Sequence, residues 1–285
     1  MSAELSPPTP QPAGPGPELL AELLALAEEA AQLAGQLLRD GRPADLGVAA
    51  TKSSPIDVVT EMDLAAEKLI TSLLTERRPA DGILGEEGGE SQGSSGVRWV
   101  VDPLDGTVNY LYGLPQWAVS IAAQWHGETV VGVVAAPMRG ETYRACAGGG
   151  AQRLATGAEP VALRPRPSPP LDQALIGTGF NYVHKVRTAQ AALAQRLIPR
   201  VRDIRRSGSA AVDLCDVAGG RLDGYFERGL APWDLAAGDL IVREAGALTG
   251  GRVGAPPDGE LTVAASPGVF RELQPLLDEL GAWHD

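Results

Sequence analysis

Arg98-Trp99-Val100-Val101-Asp102-Pro103-Leu104-Asp105-Gly106-Thr107-Val108-Asn109 begins the stretch that decides the fold, and it runs on from Tyr110 to Trp125 as YLYGLPQWAVSIAAQW. The apolar run Trp99-Val100-Val101 ends on Asp102, and a second apolar run starts near Trp117. β-Branched and aromatic runs bounded by turn residues predict two strands with a sharp bend between them. The bend carries two carboxylates three residues apart, Asp102 and Asp105, and then the Thr107 hydroxyl. A strand holds its last side chain rigidly, so α/β architectures tend to expose chemistry at strand ends.

Two carboxylates this close repel each other, and burying them uncompensated raises a pKa or costs several kcal/mol. A hard divalent cation removes the conflict. Mg²⁺ takes oxygen ligands, usually one or two carboxylates with waters and substrate phosphate oxygens. Asp, Pro and Gly are equally ordinary turn residues, so this segment alone is also readable as a β-turn. The rest of the chain decides between the two.

Outward from that stretch, Asp81–Glu87 (DGILGEE) predicts a short strand ending in two carboxylates, and 88–97 (GGESQGSSGV) a flexible loop. Thr60 is placed to cap a second helix running to about Glu76, with Asp63 at the third position of a capping box. Lys52 stands in a Ser/Pro-containing loop, where a lone lysine is ordinarily solvated. From Glu18 onward, Leu19, Leu23, Leu26, Ala30, Leu33 and Leu37 recur at helical steps, and Asp40-Gly41 predicts the stop with Gly41 as a left-handed cap. Residues 1–17 hold six prolines and two glycines and predict a disordered tail.

Downstream, Glu128–Pro137 and Glu141–Ala147 predict two strands of an antiparallel meander, turning at His126-Gly127 and Arg139-Gly140. Gly148-Gly149-Gly150 lacks the strand-and-helix context of a phosphate loop and is not read as one. The segment 164–170 (RPRPSPP) predicts a linker, dividing an N-terminal half, 18–163, from a C-terminal half, 171–285. Beyond it, strands are expected at 174–178, 204–207, 222–227 and 260–265, and helices over 188–201, after Gly208, over 233–245 and over 268–280. Such alternation predicts layered sheets and helices of the α+β or α/β class.

Composition sets limits on function. A net charge of −12 excludes a general nucleic-acid binder, which needs a basic face, yet admits an anionic substrate where a bound metal inverts the local sign. Cys146 and Cys215 stand in no CxxC pair, so buried thiols are expected rather than a disulfide. Neither a secretory signal nor a membrane-length apolar run is visible, and a cytoplasmic location is expected.

Asp102–Asn109 (DPLDGTVN) resembles the metal-binding signature of the inositol monophosphatase family. Trp233–Gly238 (WDLAAG) is similar to the family's second signature, and Gly85-Glu86-Glu87 to its upstream acidic motif. The three stand in the family's order, and the resemblance covers roughly residues 18 to 281. It implies the layered α/β/α/β sandwich of the Mg²⁺-dependent, lithium-sensitive sugar phosphatases, with metals between the halves. It implies two or three Mg²⁺ held by Glu86, Asp102, the Leu104 carbonyl, Asp105 and Asp234, with Asp102 as the bridge. Thr107 with Asp63 would orient and help deprotonate the attacking water, with Lys52 and Glu86 nearby. The N–H groups of Gly106 and Thr107 would hold phosphate oxygens, and Gly208, Ser209, Ala210 and Glu227 would line the substrate pocket.

The implied reaction is hydrolysis of myo-inositol 1-phosphate by a metal-activated water, in a homodimer. Related substrates are fructose 1,6-bisphosphate, histidinol phosphate or a nucleotide bisphosphate. Relatives acting on the last two often carry a charge after the signature threonine, where this chain has Val108. Some relatives also work with RNA polymerase, which leaves a binding role as a second class. One departure follows Gly150, where Gln152-Arg153-Leu154 stands in place of the family's Asn-Gly pair.

Overall fold

A computed structural model describes residues 14–52 and 58–282. Most of the expected tail, part of the Lys52 loop and residues 283–285 lie outside the described residues.

The first helix, α1 (Pro17–Gly41), starts on a proline, whose missing N–H costs nothing in a first turn. Its end differs from expectation. Gly41 closes the helix and Arg42 leaves it in extended backbone at φ −61° and ψ 117°, with no left-handed cap. The Arg42 guanidinium explains the exit: its Nε and Nη2 donate to the carbonyls of Tyr110 and Leu111, at 3.1 and 3.0 Å. The buried stripe also includes more alanine than the leucine steps predicted. Leu23, Leu26, Ala27, Ala30, Ala31, Ala34 and Leu38 face inward, while Leu33 is exposed.

β1 (Ala50–Thr51) and β2 (Val58–Val59) pair antiparallel as a small two-stranded sheet. α2 (Glu61–Arg77) opens on the expected capping box, in which Thr60 N–H donates to Asp63 Oδ2 at 2.9 Å. β3 (Gly82–Gly85) follows, and then β4 (Gly89–Ser91) pairs antiparallel to it, so the expected loop at 88–97 carries a strand. β5 (Val97–Asp105) runs parallel to β3 and extends past Asp102, where the strand was expected to end. Its register against β6 (Ala118–Trp125) slips between Asp102 and Asp105. Pro103 has no N–H for a ladder and fits such a bulge, which turns both aspartates toward one end of the sheet. The bend itself is a short helix, α3 (Thr107–Leu111), entered through Gly106 at φ +98°.

β7 (Glu128–Ala136) is reached through His126 and Gly127, both at positive φ as a tight hairpin turn requires. β8 (Glu141–Cys146), β9 (Gly150–Ala155) and β10 (Val161–Ala162) complete an eight-stranded sheet of order β10-β9-β8-β7-β6-β5-β3-β4. The glycine run at 148–150 is the turn between β8 and β9, and Gln152-Arg153-Leu154 lies within β9.

The second sheet takes β11 (Leu175–Thr178), β12 (Asp203–Arg205), β13 (Gly224–Glu227), β14 (Leu248–Gly250) and β15 (Thr262–Ala265), in the order β12-β11-β13-β15-β14. β14 was not expected. The helices are α4 (His184–Leu197), α5 (Ala210–Ala218), α6 (Pro232–Glu244) and α7 (Pro267–Glu279).

Alternation along the strands sorts these elements into layers. In β5, Trp99 and Val101 face a core shared with α1 and α2, while Val100 faces the opposite core, shared with α5 and α6. In the second sheet Tyr225 and Ala264 face α5 and α6, whereas Ile176, Phe226, Val263 and Ala265 face α4 and α7. The α/β/α/β layering is therefore present, and α4 with α7 adds a fifth layer outside the second sheet. No helix among the described residues is long and apolar enough to cross a membrane.

A charged knot joins the first sheet to the end of α5. Arg221 donates to both Glu141 oxygens, at 2.6 and 2.7 Å, Arg153 adds a bond at 2.8 Å, and Arg139 forks onto Asp216 at 2.7 and 3.0 Å. Burial alone would raise the Glu141 carboxyl; the bonds from Arg221 and Tyr143 outweigh it and hold the group at about 2. A depressed carboxylate stabilises the fold above its unfolded value of 4.5, and that stabilisation is lost as pH falls toward 2. Arg221 is partly solvated, so screening limits the contribution to about 1–2 kcal/mol. Glu141→Gln should therefore melt lower than wild type at neutral pH, with the gap closing between pH 4.5 and 2 in a pH series of thermal melts.

Candidate active site

A cavity of about 410 Å³ opens where the ends of β3, β5 and β13 meet the start of α6. Its acidic wall is assembled from distant segments. The β5 bulge supplies Asp102 and Asp105, and the first turn of α6 supplies Asp234. One oxygen from each of these three carboxylates lies within 4.8 Å of the others. Glu86, just past β3, lines the same cavity and acts on Asp102 through its charge.

Each carboxylate is fixed from behind. Asp102 Oδ1 accepts from Leu104 N–H at 2.9 Å. Asp105 Oδ2 accepts from Ser209 Oγ at 2.6 Å and Ala211 N–H at 2.7 Å, at the start of α5. Asp234 Oδ2 accepts from Ala231 N–H at 2.7 Å, capping its own helix. The Lys52 ammonium reaches Glu86 Oε1 at 2.6 Å and Glu87 Oε1 at 2.5 Å. Burial opposes the lysine's charge, and the two glutamates outweigh it, so its pKa is raised.

Electrostatically the wall is unbalanced. Burial raises the carboxyls of Asp102, Asp105, Asp234 and Glu86; for Asp102 the charges of Glu86, Asp105 and Asp234 add to it. Of the four, Lys52 touches Glu86, and the charge of Arg206 acts on Asp105. An all-oxygen donor set, buried and mutually repelling, matches what a hard divalent cation needs. The residues present therefore fit such a metal.

Beside the wall, Thr107 Oγ1 donates to Asp63 Oδ1 at 2.9 Å, and Asp63 Oδ2 accepts from the Thr60 N–H and hydroxyl. Thus Asp63 caps α2 and engages Thr107 at once. The same cavity is lined by Glu227 at the end of β13. Burial pushes its carboxyl up to about 7, against the Tyr225 hydroxyl, which donates to it at 2.5 Å.

The sequence profile of the inositol monophosphatase family matches residues 19–280. The chain belongs to the inositol monophosphatase family. Inositol-1-monophosphatase SuhB of Mycobacterium tuberculosis is 45% identical over 271 residues, covering 89% of this chain and 92% of that protein. The Nus factor SuhB of Escherichia coli K12 is 42% identical over 228 residues, covering 79% and 84%. The solved structure of M. tuberculosis SuhB superposes with a TM-score of 0.79 at 42% identity, covering 93% of this chain and 98% of that one. The chain is thus a phosphatase of a metal-dependent family, built on that family's fold.

Of the family positions named from sequence, Lys52, Glu86, Asp102, Leu104, Asp105, Gly106, Thr107, Gly208, Ala210, Glu227 and Asp234 all line the one cavity. Asp63 lies behind it through Thr107. Ser209 is turned away from the cavity, with its hydroxyl committed to Asp105 and to the cap of α5. The sequence reading passed over Glu67, whose carboxylate takes the N–H groups of Glu87 and Gly88. A β-carbon at Gly85 or Gly88 would stand 2.6 Å from Glu67 Oε1, so both glycines make room for it. Helical spacing carried the signal, because Glu67 lies one turn after Asp63 on the same face of α2. The Asn109 amide donates to Gln116 O and Ser207 O, at 2.6 and 2.9 Å, tying the α3–β6 loop to the turn before α5.

Proposed function

We propose that the chain is a Mg²⁺-dependent phosphate monoester hydrolase acting on myo-inositol 1-phosphate. The observation that carries it is the pairing, in one cavity, of three converging aspartates with a further carboxylate, Glu227, that lies outside their cluster. The first suits a metal-held phosphate and the second a hydroxyl of the esterified polyol.

Glu86, Asp102, the Leu104 carbonyl, Asp105 and Asp234 would hold the metal. Mg²⁺ bound there supplies positive charge to the attacking and leaving oxygens of an in-line displacement. The chain's own groups do the positioning. Thr107 has one hydroxyl proton, and the Asp63 carboxylate at 2.9 Å is a stronger acceptor than the Leu104 carbonyl at 3.1 Å. That leaves a Thr107 lone pair free to accept from the attacking water. Burial makes Asp63 more basic than an ordinary aspartate, which suits it to take the proton through Thr107. Lys52 holds Glu86 in place, and the N–H groups of Gly106 and Thr107 receive phosphate oxygens at the start of α3. No side chain becomes a covalent nucleophile.

A phosphate-release panel tests this: inositol 1-phosphate, fructose 1,6-bisphosphate, histidinol phosphate, a nucleotide bisphosphate and p-nitrophenyl phosphate, each with Mg²⁺ and with EDTA. The highest kcat/KM is expected for inositol 1-phosphate, with all activity lost in EDTA. Glu227→Gln should reduce kcat/KM for inositol 1-phosphate about 10- to 100-fold, the worth of a hydrogen bond to a charged group, and affect the aryl ester less. A preference for fructose 1,6-bisphosphate would transfer the assignment to that substrate, and equal losses on both esters would make Glu227 structural.

A further inference from the structure

We propose that Gly179 and Tyr225 are positioning residues that hold the Glu227 carboxylate flat against the loop after β11, and that this placement sets the enzyme's selectivity for hydroxyl-bearing phosphate esters. The inference rests on Glu227 being the hydroxyl partner and goes beyond it, to what aims that carboxylate.

Three observations converge. First, Gly179 follows β11, which pairs in parallel with β13, so the loop passes directly beside the end of β13. A β-carbon built at Gly179 would land on the Glu227 carboxyl group, meeting both oxygens and the carbon between them. No residue but glycine leaves space for Glu227 to lie there. This glycine needs no positive φ, so the close approach is the reason for it. Second, Tyr225, two residues back on the same face of β13, donates from its hydroxyl to Oε2 at 2.5 Å. Tyr225 is fully buried, which fixes its ring and therefore its hydroxyl. Third, the loop is locked in turn. Gln190 of α4 accepts from Asn181 N–H at 2.8 Å, and Gln190 is itself buried. Gly229, at φ +87°, leaves room for the Asn181 amide.

With Oε2 committed to Tyr225, Oε1 is the atom left to receive a substrate hydroxyl. The acceptor is thus narrowed to one oxygen of a carboxyl group held on two sides, by Gly179 and by Tyr225. That geometry distinguishes a polyol phosphate from an ester of the same phosphate that has no hydroxyl to offer.

Charged and titratable groups of several elements act on Glu227. Tyr225 lies on its own strand, Arg206 comes from the turn before α5, Asp213 from α5, Asp105 from β5 and Asp234 from α6. Burial holds the Glu227 carboxyl near 7, and the Tyr225 bond and the Arg206 charge pull it down. The ionised carboxylate is the form that accepts from a hydroxyl. KM for a hydroxyl-bearing ester should therefore rise as the pH falls and the carboxyl takes up its proton.

The test uses the Mg²⁺-loaded full chain and four proteins: wild type, Tyr225→Phe, Gly179→Ala and Glu227→Gln. Each is assayed on inositol 1-phosphate and on p-nitrophenyl phosphate from pH 6 to 9, with a thermal melt to establish folding. For Tyr225→Phe the ratio of kcat/KM for the polyol ester to that for the aryl ester should fall about tenfold, through KM rather than kcat. Its KM inflection should also move to higher pH, because the lost donor favoured the carboxylate. Gly179→Ala should lower the same ratio by displacing the carboxyl group. Where Gly179→Ala fails to fold, Tyr225→Phe decides alone.

Unchanged ratios and an unchanged inflection in both variants, with the ratio lowered in Glu227→Gln, would overturn the positioning role and leave Glu227 as the hydroxyl partner. An unchanged ratio in Glu227→Gln would instead overturn that partnership, and the positioning role with it. Equal losses on both esters in Tyr225→Phe, at an unmoved inflection, would also overturn it, leaving Tyr225 only structural.

Discussion

Asp105→Asn should lower Mg²⁺-dependent turnover at least ~10²-fold, the typical effect of removing one preorganised electrostatic group. The protein should stay folded, for a reason the geometry supplies. Asp105 Oδ2 receives two bonds at the start of α5, from Ser209 Oγ and Ala211 N–H. An asparagine can keep its carbonyl oxygen in that place and retain both. Its amide nitrogen then occupies the other position, facing Asp102 and Asp234. There it donates to neighbouring carboxylates, which suits the metal-free protein, but offers no lone pair to a cation. Fold and ligand thus separate at one residue. Steady-state kinetics over a Mg²⁺ titration, beside a thermal melt in EDTA, would check this. Full activity at ordinary Mg²⁺ would remove Asp105 from the metal site.

How much of this site was legible in the sequence follows from what local signals encode. The capping box at Thr60 and Asp63 was readable because both partners lie within one helical turn. The strands around Asp102 were readable from their apolar runs, but the bulge was not. It depends on the register against β6, a pairing that Pro103 merely permits. Hence Asp102 read as a strand end while the strand continues to Asp105.

The three motifs indicated which acids belong together only through the family resemblance. Nothing local says that Asp234 of α6 meets Asp102 of β5, which is decided by helix–sheet packing. Side-chain direction was also beyond the sequence. Ser209 stood in a motif expected to line the pocket, and the start of α5 claimed its hydroxyl. Gly179 carries no motif at all, and Glu67 only its helical spacing from Asp63; the meaning of both is a close approach between separate segments. The extended exit at Gly41 follows the same rule, since the carbonyls of Tyr110 and Leu111 that hold Arg42 come from α3.

The second large effect should appear in stability rather than rate. Asp102 is the most enclosed member of the acidic wall, 1% exposed, with Glu86, Asp105 and Asp234 around it. In a partly dry cleft, like charges at such range repel by several kcal/mol before protonation or a cation relieves them. The metal-free fold carries that cost. Asp102→Asn removes one charge with almost no change in shape. Its carbonyl oxygen can still accept from Leu104 N–H, now at 2.9 Å from Oδ1, and its amide can donate to Glu86. In EDTA the variant should therefore melt at an equal or higher temperature than wild type. In Mg²⁺ the order should reverse. Wild type gains about 2.7 kcal/mol when free metal is ~100 times its dissociation constant, because metal binds the folded state alone. The variant lacks a carboxylate of the proposed metal site and should gain much less. The measurement is a melt of both proteins in EDTA and in excess Mg²⁺. If Asp102→Asn melts far below wild type in EDTA yet keeps the full Mg²⁺ increment, then Asp102 serves only to shape the β5 bulge, and the turn reading of the Asp-Pro-Leu-Asp-Gly segment prevails over the metal reading.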